Sequence, residues 1–304
     1  MASVLSYDTF VRHMVNFVVA TGMLFVIDHF GIKPFVRRCL TKDKEVRQAR
    51  WFFTHAVANL FVVLTGAHAL GIMFVDPAYA MDSRNYSDTS LFGNASSWPL
   101  TFINAVHVYH MIGGFHLTSA DYFHHFMFVP ALGIPGRTRS HPAPCPRART
   151  PCLDVRPPRT QPTPSSAHAP AASRLAEMLL WGAVEPGGAC FISGLPGGIS
   201  YFMLGLLKIG AIESMTEKRI TANLNCWLRV PGILVSSFIV YQAVLYGRHT
   251  LPLWPAVLHV VLPVYNALYY CKQAVANYTV HCARRHSSCA RVRARAAISN
   301  LGVW

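Results

Sequence analysis

The chain has 304 residues, of which 52% are hydrophobic and 13% charged, and its mean hydropathy is +0.31. A soluble domain carries about twice that share of charge, so the composition excludes an ordinary water-soluble enzyme and points to a membrane protein. The net charge of +14 is not a nucleic-acid signature: residues 137–175 and the five arginines from Arg284 to Arg295 account for all but three of the excess positive charges, and no nucleic-acid partner is expected. The basic tail meets anionic lipid headgroups at most, at roughly 1 kcal/mol per residue.

In chain order, the apolar stretches predict spans over 14–36, 51–75, 99–115, 122–134, 189–209, 227–246 and 253–271. The first thirteen residues carry Arg12 and His13 but no small-residue cleavage site, so the first stretch reads as a retained span. The fourth covers only about 20 Å of a roughly 30 Å hydrocarbon core. The fifth contains Ser193-Gly-Leu-Pro-Gly-Gly198, which predicts a break or kink at a depth where irregular backbone is tolerated only in protein or beside a cavity. Eight cysteines are present and none lies in a Cys-x-x-Cys spacing; Cys190, Cys226 and Cys271 read as small hydrophobes. The predicted fold class is all-α, a multi-pass transmembrane helical bundle of about seven spans. Residues 1–136 and 176–282 form the bundle, 137–175 a disordered Pro/Arg-rich insert and 283–304 a basic C-terminal tail that is not expected to be ordered.

The loops set the orientation. Lys33, Arg37, Arg38, Lys42, Lys44, Arg47 and Arg50 mark 33–50 as cytosolic. The following loop carries Asp76, Asp82 and Asp88 with two sequons, Asn85-Tyr-Ser87 and Asn94-Ala-Ser96, and is expected on the lumenal side of an endomembrane. Seven spans then place the N-terminus in the lumen and the C-terminus in the cytosol, in the endoplasmic reticulum or another endomembrane. The insert, with nine of the chain's twenty prolines and seven arginines, breaks this scheme. A retained intron read in frame would explain it, and sequencing the mature transcript tests that.

Ionisable groups inside spans are the candidates for chemistry. His107 and His110, at i and i+3, share one helix face. Asp121 precedes His124 and His125 by three and four residues, so on a helix its carboxylate can orient either imidazole as a general base. The plainer alternative is that these histidines only hydrogen-bond neighbouring helices. A metal centre is not expected: His55 and His68 are thirteen apart and no His-x-x-x-His occurs. Asp28 and His29 read as an interfacial boundary, and Glu213-Ser-Met-Thr-Glu-Lys-Arg219 as a solvated cytosolic loop.

Asp121-x-x-His124-His125 at the head of an apolar stretch, with Val264-Tyr-Asn-Ala-Leu-Tyr-Tyr-Cys-Lys272 in the last one, resembles the TLC-domain membrane proteins, the group that includes the ceramide synthases. The likeness covers roughly 45–275, interrupted by the insert. It implies lipid metabolism or homeostasis of acyl-chain or sphingolipid type. For an enzyme it implies acyl transfer from acyl-CoA, with His124 or His125 as base, Asp121 orienting it, and His107 and His110 in the same cavity. The acidic stretch that the synthases carry on a later helix is absent from 193–208. The resemblance implies no resident cofactor, acyl-CoA entering as co-substrate; the expected partners are the bilayer and a lipid substrate, and a homo-oligomer stays open. Two other readings remain: a non-catalytic lipid-binding, sensing or transport protein using the segment at Pro196, and a fatty-acid elongase, of whose His-x-x-His-His box His107-Val-Tyr-His110 is half.

Overall fold

The computed structural model describes residues 2–82, 91–93, 96–115, 182–247 and 253–300, with 117, 119 and 122. These residues are helical and joined by short turns, with no strand among them. Helix α1 (Ala2–Val26) passes through a π-helical turn, π1 (Ile27–Ile32), into α2 (Lys33–Cys39). Helix α3 (Asp43–Val75) follows, with Asp43 and Glu45 in its first turn, where the helix dipole favours acids. A short α4 (Pro77–Ala80) is capped by Asp76, whose carboxylate accepts from the Tyr79 amide at 3.0 Å. Then come α5 (Trp98–Ile112), α6 (Val184–Ala189), π2 (Cys190–Gly194), α7 (Leu195–Lys208), α8 (Ser214–Leu224), π3 (Asn225–Arg229), α9 (Val230–Leu245) and α10 (Leu253–Asn300).

Four continuous helical stretches among the described residues are long and apolar enough to cross a membrane: Val11–Cys39, Asp43–Val75, Val184–Lys208 and Ser214–Leu245. Val18, Phe30, Leu64, Val75, Trp227 and Phe238 lie exposed on their outer faces. So much uncovered apolar surface suits lipid and not water. The protein is built as an integral membrane bundle.

The expected span over 99–115 is present as α5, but its fifteen residues reach only about 22 Å. Eleven of them are buried, which places α5 inside the bundle, as expected for a helix apolar all round. The last stretch is diluted by Trp254, Pro255, His259, Pro263 and Asn266 and is not among the four. The expected span over 122–134 and the insert over 137–175 lie outside the described residues.

Three expectations are corrected. The segment 193–198 does not break the helix: π2 absorbs the irregularity at Gly194 (ψ −88°), and Pro196 falls in the first turn of α7, where its missing N–H leaves no bond unmade. The segment 213–219 is not a solvated loop. It enters α8, where Glu217 is buried, accepting from the Thr221 hydroxyl at 3.1 Å and pairing with Lys218 at 2.8 Å. The basic tail is helical to Asn300, since its Ala and Arg residues are strong helix formers.

Helix α3 is the axis of the bundle. Arg50 and Trp51 at its start meet Tyr109 and His110 at the end of α5, Phe61 stacks on Phe102 at 4.7 Å, and Gly66 lies against Pro99, so the two run antiparallel. The same reading holds along α6–α7, where Gly187 meets Met73, Cys190 meets Gly66, Gly197 meets Asn59 and Gly205 meets Phe53. Small residues carry these close approaches, as membrane packing requires in place of a hydrophobic driving force. A side chain at Gly66 would lie 2.7 Å from the Cys190 sulfur, and one at Gly232 would collide with the Phe191 ring. Helix α9 runs back against α6–π2 through Gly188–Ser236 and Phe191–Gly232. Helix α10 runs antiparallel to π3–α9, with Cys271 beside Cys226 and Pro263 beside Ile233.

Candidate functional site

Packing α5 and α7 on opposite flanks of α3 brings the aromatic and imidazole rings of three helices together. Trp51 of α3 stacks on His110 of α5 at 4.7 Å between centroids and 18°. His110 lies 4.2 Å from His55, and His55 stacks on Tyr201 of α7 at 4.2 Å and 21°. His107, one turn before His110, stands edge-on to His55 at 6.3 Å. All three histidines are buried.

The backbone engages two of the rings. His107 Nδ1 is 2.5 Å from the Ile103 carbonyl and His55 Nδ1 is 3.3 Å from the Trp51 carbonyl. A carbonyl can only accept, so each Nδ1 is the donor in its contact.

A cavity of about 530 Å³ opens beside this column. Its walls are Trp51 and His55 from α3, Ile103 and His107 from α5, Ser193, Gly197 and Tyr201 from π2–α7, Asn225 and Arg229 from π3, and Pro263, Asn266 and Gln273 from α10. Ser193, Asn225 and Arg229 are placed by the π-turns, a backbone irregularity that recurs at functional sites. Ser193 Oγ donates to Asn59 Oδ1 at 2.7 Å and Arg229 Nη1 to Asn225 Oδ1 at 2.8 Å. Asn59 and Ser193 lie well inside their membrane stretches, and Arg229 lies near the start of the apolar part of its own. Ionisable and polar groups retained in such helices point to use. On the opposite faces of α3 and α7 is an apolar cleft of similar volume, about 530 Å³, lined by Phe35, Phe53, Leu60, Ile199 and Phe202.

A second ionic cluster ties α1, α3 and α5 together. Asp28, in π1, is fully buried; Arg50 donates to its Oδ1 from Nε at 3.0 Å and to its Oδ2 from Nη2, and the Tyr109 hydroxyl donates to Oδ2 at 2.7 Å. The guanidinium also lies 5.1 Å from the centroid of Phe115. Asp28 is thus a structural tie between three helices, its charge matched and enclosed.

Of the residues singled out from the sequence, His107 lines the cavity. His110 does not: it packs behind His55 and Trp51 as part of the ring column. Asp121, His124 and His125 lie outside the described residues. Sequence reasoning weighed His55 only as a metal ligand and passed over Tyr201 and Arg229. Arg229 was findable, being a single charge near the start of the apolar stretch 227–246. Among the described residues no three His, Cys, Asp or Glu side chains are grouped to hold a metal ion. The arrangement offers two imidazoles, a phenol, a guanidinium and several amides around one space. No protein-family model, curated protein or solved structure matches the chain.

Proposed function

We propose that this is a seven-span endomembrane protein of TLC type that handles an acyl-chain or sphingolipid-type lipid in the cavity between α3, α5, α7 and α10. The observation that carries the reading is the juxtaposition of the imidazoles of His55 and His107 with a polar space inside membrane-length helices. An amphiphile needs both: polar partners for its head and apolar surroundings for its chain. Helices α5 and α6 both run opposite to α3, so the chain must return across the bundle between them. The apolar stretch over 122–134 is available for that crossing, which supports a count of seven with the N-terminus lumenal and the C-terminus cytosolic.

If the protein acts as an enzyme, the reaction is acyl transfer from acyl-CoA to an amine or hydroxyl. His124 or His125 removes the proton of the nucleophile, Asp121 orients that base, His107 supports the acceptor from the cavity wall, and coenzyme A leaves as its thiol with that proton. Losing a general base lowers such a rate by about 100-fold or more. The test is lipid profiling of cells expressing the chain, His107→Ala, or His124→Ala with His125→Ala, at matched protein abundance. The expected outcome is one acyl-lipid class raised by the wild type and returned to background by the double substitution. A lipid change that survives both substitutions replaces catalysis with binding or transport. An unchanged lipid profile in the wild type removes the proposal.

A further inference from the structure

Arg229 is held by a neutral amide and, among the described residues, by nothing of opposite charge. Its Nη1 donates to Asn225 Oδ1, its Nε is buried without a hydrogen-bond partner, and among the described residues no carboxylate forms an ion pair with it. The contrast with Arg50 is direct, since that arginine is matched by Asp28. Arg229 is half-buried with its Nε enclosed, and a cation so placed favours an anionic partner. The space around Arg229 is also kept open. A side chain added at Gly197 would lie 3.7 Å from Nη2 and 3.0 Å from Asn59 Nδ2. The described residues that share its cavity, among them His55, His107, Asn266 and Gln273, include no acid.

We propose that Arg229 is the anion receptor of this cavity and that the ligand is a single-chain amphiphile with a carboxylate or phosphate head. A guanidinium grips either group through two parallel N–H donors, which an ammonium does not match. Nη2, which faces Gly197, is the donor available to such a head here, because one N–H of Nη1 is engaged by Asn225 and Nε is enclosed. The inference rests on the cavity being a lipid site, as proposed above, and names the chemistry of the head group.

The test uses the full chain purified in neutral detergent and a photoreactive palmitic acid carrying a diazirine, with labelled peptides mapped by mass spectrometry. Palmitate, 16-carbon lysophosphatidate and hexadecanol are the competitors. The expected result is labelling of the cavity helices that palmitate or lysophosphatidate displaces at a concentration at least about tenfold below hexadecanol. Arg229→Gln should raise the concentration of anionic competitor needed by about tenfold or more and leave that of hexadecanol unchanged, while Arg229→Lys keeps part of the preference. Whichever anion competes better identifies the head group as carboxylate or phosphate. Equal competition by hexadecanol in the wild type overturns anion recognition while leaving a lipid site standing. Labelling that no competitor displaces overturns both. The wild-type comparison needs no variant and decides the matter even if Arg229→Gln does not fold.

Discussion

Asp28, Arg50 and Tyr109 show what individual residues do in this bundle. The carboxylate is enclosed and receives donors from two other helices, so its removal strands a buried guanidinium. Asp28→Ala is expected to lower stability by about 3–5 kcal/mol, whereas Asp28→Leu combined with Arg50→Leu should be milder than either change alone. Thermal denaturation of the purified protein in detergent measures both, and strictly additive losses would show that the two charges are not coupled. Nothing local reveals this cluster, because the partners stand 22 and 81 residues from Asp28. The histidines divide differently. His107 was legible as a wall residue from its place in an apolar stretch. That His110 turns away from the cavity and His55 toward it depends on how α3 and α5 are rotated against each other.

Among elements, the three π-turns are the features that place chemistry. Each widens a membrane helix by one residue and carries a polar group inward: Asp28 in π1, Ser193 in π2, Asn225 and Arg229 in π3. Sequence alone marked only one of these places, through Pro196 and its glycines, and there predicted a break; a wider turn satisfies the backbone without one. The pairing of π3–α9 with α10 is open to direct test. Cys226 and Cys271 lie with sulfurs 3.3 Å apart as free thiols, a separation that a small side-chain shift converts to a bond. Copper-phenanthroline oxidation of membranes should yield a 226–271 cross-linked peptide, abolished in Cys226→Ser. Its absence would mean that these two helices are not antiparallel neighbours.

For the whole molecule, orientation is the property that governs substrate access. In the proposed orientation a cytosolic 33–50 segment would put Asp28 and Arg50 on the side of acyl-CoA, and 76–98, with the sequons at Asn85 and Asn94, would belong to the lumenal side. Peptide-N-glycosidase treatment of the expressed protein should raise its gel mobility, and Asn85→Gln with Asn94→Gln should remove that shift. A chain that stays unglycosylated while a lumenal reporter fused to its N-terminus is modified would reverse the proposed count of crossings.

The sequence by itself determined the class of the molecule: scarce charge and repeated apolar stretches leave helices in a bilayer as the solution, since each backbone polar group must be satisfied within its own segment. Hydropathy is a sum over neighbours in the chain, so it located the ends at Val75 and Lys208 to within one residue, whereas the helices start at Asp43 and Val184, eight and five residues before the apolar stretches do. It missed the true start of Ser214–Leu245, where the polar first turns are covered by other helices. Only the tertiary structure decided which buried polar groups meet. It matched Arg50 to Asp28 and left Arg229 facing an open cavity with His55 and His107. The physical reason is that ion pairing and cavity walls depend on helix rotation and crossing. Those are set by close contacts such as Gly66 with Cys190 and Gly197 with Asn59, between residues far apart in the chain.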